Sequence, residues 1–322
     1  MNNLRKDSVT YIEVDGHSHA QRIDNFLFKT LKGVPKSHVY RILRSGEVRV
    51  NSKRVDASYK VASGDSLRIP PIQVAGPKSA LSEQRTLPKF SPEILFEDNN
   101  VLAINKPAGL AVHGGSGVNF GVIEQLRARS AKNAFLELVH RIDRDTSGVL
   151  LLAKKRAALT ALHAAMRENH IIKRYLTLVK GEWKNAKQNV KFSLHKYVTA
   201  EGERRVSVMQ EGQAAHTIFT LERASPHYSL LQAELKTGRT HQIRVHLAHL
   251  GFPIAGDDKY GDFAWNKQLQ KLGLKRMFLH AQRLMVAHPV TGETLDLRAP
   301  LPPELRQFLQ LISLDSQHAE SI

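Results

Sequence analysis

Nine residues, 140–148, set the strongest constraint on how this chain folds. They read His-Arg-Ile-Asp-Arg-Asp-Thr-Ser-Gly, and Val149-Leu150-Leu151-Leu152-Ala153 follows at once. An apolar run of that length reads as a buried strand, and residues 136–139 ahead of the nine read as a shorter one. The polar stretch is therefore a loop held by core at both ends. It packs two carboxylates, two guanidiniums and an imidazole into residues 140–145. Charges this close to core pair or change protonation, and such clusters occur at functional sites and in salt-bridged surface turns alike. Charge pattern alone leaves both readings open.

The rest of the chain narrows the choice of partner. Its 322 residues carry a formal net charge of +17, which suits a polyanion: nucleic acid first, an anionic membrane surface second. The apolar run beside the loop is too short to cross a bilayer, and residues 1–20 lack the apolar core of a signal peptide. There is no cysteine, which excludes disulfides, a cysteine nucleophile and Cys-ligated zinc and fits a cytoplasmic protein. His241, His246 and His249 are spaced five and three apart, not the four that stacks two metal ligands on one helical face, so no metal is expected. The glycine-rich run His113-Gly114-Gly115-Ser116-Gly117 lacks the Gly-Lys-Ser/Thr ending of a P-loop and reads as a loop touching RNA.

Charge and pattern divide the chain. Residues 1–20 are a polar segment, frayed or forming a short edge strand. From Gln21, the spacing of Ile23, Phe26, Leu27 and Leu31 predicts an amphipathic helix, broken at Gly33 and Pro35. Ser37 can cap a second helix, with Val39, Ile42 and Leu43 on its apolar face and Gly46 at its end. Strands follow around Val48–Val50 and Leu67–Ile69, with a turn at Asn51-Ser52-Lys53. Residues 21–70 hold eleven lysines and arginines against four acidic residues. Arg41 and Arg44 share one side of the second helix, near Lys36, and Lys53 and Arg54 lie just beyond it. Such a face suits an RNA backbone, though a merely solvated helix face has the same pattern. Residues 71–89 are rich in proline and read as a semi-extended linker, and residues 90–322 form a second domain.

That second domain opens with a hairpin, Ile94-Leu95-Phe96 and Val101-Leu102-Ala103-Ile104 around Asp98-Asn99-Asn100. Helices are predicted around Val122–Leu126 and Leu159–Met166, after the 237–246 motif with its end at Gly251-Phe252-Pro253, and around Leu305–Ile312. A strand runs through Tyr175 to Gly181.

Several of these stretches resemble known families. Residues 140–148 are similar to the active-site loop of the RluA family of pseudouridine synthases, H-R-L/I-D-x-x-T-S-G. Lys106-Pro107-Ala108-Gly109 resembles its K-P-x-G motif, and Tyr175 in Lys173-Arg174-Tyr175 falls on its active-site tyrosine. Residues 238–246 resemble G-R-T/S-H-Q-I/L-R-V-H, and residues 256–261 match a further stretch. Residues 21–70 resemble the S4 RNA-binding domain, including SHVYRILRSGEVRVNSKRV.

The resemblance implies an α+β fold, with a central, largely antiparallel mixed sheet and a small S4-like RNA-binding domain ahead of it. It implies that Asp143 is the catalytic residue, that Tyr175 stacks on uracil and serves proton transfer, and that Arg244 forms a buried ion pair with Asp143. It also places Arg141 to fill the space an extruded base leaves. Lys106 is read as mainly structural, its motif shaping the floor of the site, and Asp145 as structural or a surface partner of Arg144. An S4 domain before this catalytic domain is the layout of members that act on large-subunit ribosomal RNA, so the expected partner is that RNA or an assembly intermediate. The protein is expected to be a monomer. The reaction is an isomerisation, so no cofactor is implied. Two other classes fit parts of the pattern. An RNA-binding assembly factor without catalysis would carry the same S4 module and charge, and a glycoside hydrolase would need a second working carboxylate.

Overall fold

A computed structural model describes residues 8–31, 34–72, 91–114, 120–129, 135–200 and 202–313. The expected linker lies almost wholly in residues 73–90, and residues 115–117 of the glycine-rich run likewise fall outside the described residues. The chain divides into two compact units, Met1–Thr86 and Leu87–Ile322.

In the first unit, β1 (Thr10–Glu13), α1 (Ile23–Thr30), α2 (Lys36–Arg44), β2 (Arg49–Val50), β3 (Lys53–Arg54) and β4 (Ser66–Ile69) follow in order. The strands form an antiparallel sheet in the order β1-β4-β2-β3, so residues 10–13 are an edge strand. Ile23, Phe26 and Leu27 of α1 and Val39, Ile42 and Leu43 of α2 are buried against Val50, Leu67 and Ile69, as their helical and alternating spacings require. One local expectation fails. Helix α2 begins at Lys36 behind Pro35, with no side-chain cap, so Ser37 sits inside the first turn. Proline ahead of the helix fixes its entry by restricting φ, and a serine cap is not used. Asn51 and Ser52 both have positive φ, the two-residue turn whose twist matches a hairpin between β2 and β3.

The second unit runs β5 (Glu93–Glu97), β6 (Val101–Lys106), α3 (Val122–Arg129), β7 (Glu137–Leu138), β8 (Ser147–Ala153), α4 (Arg156–Arg167), β9 (Ile172–Lys180), β10 (Lys187–Val198), β11 (Arg204–Val208), β12 (Gln213–Ala224), β13 (Tyr228–Leu235), α5 (Gln242–His249), α6 (Phe263–Lys271), β14 (Leu279–Ala287), β15 (Thr294–Arg298) and α7 (Pro303–Leu311). Its sheet has the order β11-β10-β12-β13-β9-β14-β8-β6-β5, with β15 on β14 and β7 on β8. Every pairing is antiparallel except β14 with β8.

Both faces of this sheet are covered, which is why β8 is buried along its whole length and reads as an unbroken apolar run. Alternation along β9 sorts its side chains. Tyr175 and Val179 enter the core shared with Ile243 and Leu247 of α5, while Leu176 and Leu178 enter the core under α6 and α7. At the parallel junction Gly148 has φ +110°, and a Cβ there would overlap the backbone of Ala281. Only glycine lets β8 come this close to β14 directly behind the loop.

Candidate active site

The loop between β7 and β8 is fixed from below before any functional group is considered. Ile142 is buried in the core between Arg141 and Asp143. The Leu151 amide donates to Nε2 of His140 at 3.0 Å. Burial holds the His140 pKa down to about 3, helped by nearby Lys173, so this imidazole is a neutral acceptor. The Thr146 amide donates to the Asp143 carbonyl at 3.2 Å, closing the turn. Behind it, Ser147 Oγ and His280 Nδ1 are 2.9 Å apart, and His280 Nε2 lies 3.1 Å from the Ala299 carbonyl. Arg276 also donates to Ser147 Oγ at 2.8 Å.

Lys106 closes the loop's outer side. Its side chain is fully buried, and Nζ donates to the carbonyls of Pro107 (2.7 Å), Leu110 (2.8 Å) and Arg144 (3.0 Å). Burial pulls its pKa down to about 7, while three carbonyl acceptors favour the ammonium. This lysine therefore ties one loop to the other, as a structural residue would.

Asp143 stands on this platform between two adjoining pockets, of about 270 and 380 Å³. The smaller is lined by Tyr175 and Lys173 from β9, Arg244 and His241 from the start of α5, and Met166 from α4. Arg141 lies exposed at the boundary of both pockets. The three residues expected to act together, Asp143, Tyr175 and Arg244, thus meet in one place. Burial raises the pKa of the Tyr175 hydroxyl well above its ordinary value, and the Asp143 charge adds to this, so the phenol keeps its proton. Lys173 is shifted the other way by burial.

The expected ion pair is present but is not the main one. Arg244 Nη1 is 3.3 Å from Asp143 Oδ2, whose side chain is 19% exposed. The principal partner is Asp257, which the sequence reading left without a role. Arg244 Nε and Nη2 each donate to it at 2.7 Å, with the two side chains 5% and 1% exposed. Burial works against the Arg244 charge, but the bonds and field of Asp257, then Asp143, outweigh it and hold the guanidinium pKa above its ordinary value. Asp257 is the mirror case: burial opposes its charge, and Arg244 with the Tyr260 and Lys259 amides keeps its pKa low. Arg244 is a fully charged clamp with one face on Asp257 and one nitrogen left for Asp143.

The rest of the 238–246 motif builds that clamp. Gln242 is buried; its Oε1 accepts from Thr237 Oγ1 and the Arg239 amide, and its Nε2 donates to the His216 carbonyl and Thr217 Oγ1. His246 is buried, with Nδ1 3.0 Å from Thr217 Oγ1, and His249 packs edge-on to Phe192 at 4.7 Å. No cluster of metal-ligating side chains exists among the described residues. Asp145 pairs with Arg144 at 3.2 Å and lines the larger of the two pockets with it.

In the first unit, Arg41, Arg44, Lys53 and Arg54 are all exposed; the Lys36 side chain lies outside the description. Arg41, though exposed, also pairs with Glu47 at 3.2 Å. Arg54 lies across Gly46, where a Cβ would overlap its side chain.

A mixed sheet thus carries an aspartate, a tyrosine and a clamped arginine in one cleft. Residues 100–249 match the family described as RNA pseudouridylate synthase, and residues 21–67 match the S4 domain. The chain belongs to the RluA family of pseudouridylate synthases and carries an S4 domain ahead of the catalytic one. It is 50% identical over 307 residues to ribosomal large subunit pseudouridine synthase C of Escherichia coli (strain K12), covering 94% of this chain and 96% of that one. To the protein of the same name from Pasteurella multocida it is 48% identical over 304 residues, 94% and 93% of the two chains. The fold is also similar to that of human RNA pseudouridylate synthase domain containing 4, with a TM-score of 0.58 and 26% identity over 70% of this chain and 94% of that one.

Proposed function

We propose that this chain converts uridines of large-subunit ribosomal RNA into pseudouridine, with Asp143 as the reacting carboxylate. The observation that carries the reading is the meeting of Asp143, Tyr175 and Arg244, from three distant stretches of sequence, in one pocket. The relatives named for large-subunit pseudouridine synthesis supply the substrate class.

The chemistry follows from the groups. The bond from uracil N1 to ribose C1′ breaks, the base turns, and C5 bonds to C1′; C5 loses a proton and N1 gains one. Nothing is oxidised or transferred from outside. Asp143 acts at the ribose, either at C1′ or on the 2′ proton. Arg244, locked by Asp257, sets the plane of that carboxylate. Tyr175, protonated and buried, offers uracil a face to stack on and one O–H. The target base must leave its stack to reach this pocket, which costs a few kcal/mol, and Arg141 at the mouth takes the vacated space.

The S4 unit holds RNA by its backbone through Lys36, Arg41, Arg44, Lys53 and Arg54. The chain works as a monomer in the cytoplasm, on the ribosomal RNA or on an assembly intermediate. No helix among the described residues is long and apolar enough to cross a membrane.

The test is chemical mapping of pseudouridine, by carbodiimide and primer extension, in ribosomal RNA from cells that lack this chain and from cells that express Asp143→Asn. Both should lose the same sites, while the purified variant still binds RNA. Full modification in the Asp143→Asn cells would refute the assignment. RNA binding without any lost site in the deletion would favour an assembly factor instead.

A further inference from the structure

One donor to Asp143 is accounted for by Arg244 on Oδ2; the other oxygen faces His241. Its Nε2 is 4.0 Å from Asp143 Oδ1, with side chains 17% and 19% exposed. His241 stands immediately before α5 with φ 53°, in the left-handed region. Histidine occurs there more often than most residues, but the conformation carries strain that the surroundings must hold. What holds it is Tyr260, whose hydroxyl is 2.8 Å from His241 Nδ1.

That hydroxyl has a defined direction. The Val206 amide donates to Tyr260 Oη at 3.0 Å, so the oxygen accepts from β11 and its own proton is free to be donated. Among the described residues the acceptor within reach is His241 Nδ1. If Nδ1 accepts, a neutral imidazole carries its proton on Nε2, the nitrogen facing Asp143. The opposite tautomer would leave the phenol proton without an acceptor and set an imidazole lone pair against a carboxylate oxygen.

We propose that Tyr260 is a positioning residue that fixes His241 in the tautomer protonated on Nε2, aiming that N–H at Asp143 Oδ1. The chain of donors runs from the Val206 amide through the Tyr260 hydroxyl to His241 and on to the carboxylate. At 4.0 Å the last link is too long to be a hydrogen bond in the free protein, so Oδ1 stays available to react while the imidazole limits how the carboxylate plane turns. Asp143 is thereby held from two sides, by Arg244 and by His241. The charged groups around the imidazole are Asp143, Asp257, Arg244 and Lys259; burial lowers its pKa, Asp143 works the other way, and the net direction is down. The ring is therefore neutral near pH 7, as the chain of donors needs. Tyr260 also lies under Arg244, with the guanidinium carbon 5.1 Å from the ring centroid, so its ring steadies the clamp while its hydroxyl sets the tautomer.

The catalytic meaning of this rests on the reading of Asp143 as the reacting group; the tautomer does not. The experiment takes the full-length protein, isotope-labelled at the histidine nitrogens, and reads the His241 ring by NMR near pH 7. The resonance is assigned by its loss in His241→Gln. Wild type should show a proton on Nε2 and a bare Nδ1. Tyr260→Phe keeps the ring under Arg244 and deletes only the hydroxyl; it should give a mixture of tautomers. Its kcat on an RNA substrate should fall about tenfold, the order expected for one orienting hydrogen bond, with KM changed less than about twofold. A wild-type His241 protonated on Nδ1 would overturn the proposal, as would a Tyr260→Phe protein with unaltered tautomer or unaltered kcat. An inactive wild type with the expected tautomer would instead sink the reading of Asp143 and leave the donor chain standing.

Discussion

Asp257→Asn is the sharpest perturbation of this site, because it changes one atom in a pair removed from water. Asp257 and Arg244 are 1% and 5% exposed and joined by two bonds of 2.7 Å. Removing one partner of such a pair costs about 3–5 kcal/mol, much of it from the charge left without compensation. Asparagine keeps one acceptor for Arg244 and turns an NH2 toward the other nitrogen. The lower end, about 3 kcal/mol, is therefore expected. For a domain of this size that lowers Tm by about 6–12 °C. The assay is tryptophan fluorescence on the full chain: Trp183 and Trp265 both lie in the catalytic unit, so the signal does not report the S4 unit. Activity should fall about a hundredfold in kcat, since Arg244 loses the bonds that set its plane against Asp143. The pH dependence has a definite sign. Asp257 is held below the ordinary carboxylate pKa of about 3.9. Its contribution is present in full above the unfolded value and is lost as pH falls through the folded one. The gap in stability between wild type and variant should thus be constant from about pH 5 to 7 and narrow below about pH 4. A loss under about 1 kcal/mol, or a wild-type kcat, would refute the clamp.

Two further perturbations test other parts of the molecule. Lys106→Met keeps length but strips three carbonyls of their donor, including that of Arg144 in the active loop; stability should fall by about 2–4 kcal/mol and kcat more than KM, and a denaturation midpoint equal to wild type would show that the lysine does not tie the loops. Replacing Arg44, Lys53 and Arg54 together by alanine should weaken RNA binding and make the slope of log K against log salt shallower by about two; an unchanged slope in filter binding across a salt series would mean that these cations do not meet phosphate.

Much of this protein was legible in order of sequence. The two apolar runs around residues 140–148 dictated a loop pinned to a sheet, because a period of two and an unbroken apolar strand leave few other places for it. Tyr175 could be placed on a strand from alternation alone, whereas Arg244 was located only by the motif it shares with the RluA family, and its place on a helix came from the fold. Within the motifs, resemblance to the RluA family then singled out one carboxylate, one phenol and one guanidinium as the candidate reacting set. Tertiary structure decided the rest. Asp257 and Asp258 are adjacent and chemically identical, yet the first is buried on Arg244 at 2.7 Å while the second stays 72% exposed and reaches Arg244 Nη2 only at 3.5 Å. The turn that carries Asp257 inward is held by a side chain from the next helix: the Asp257 carbonyl accepts from Asn266 Nδ2, and the Gly256 amide donates to Asn266 Oδ1. The choice of Asp257 over Asp143 as the main partner of Arg244, and the approach of Val206 on β11 to Tyr260, depend in the same way on contacts across the fold. A sequence specifies which groups are present and which face of an element they occupy; burial and orientation, which give a carboxylate or an imidazole its role, are fixed only when the distant elements close around it.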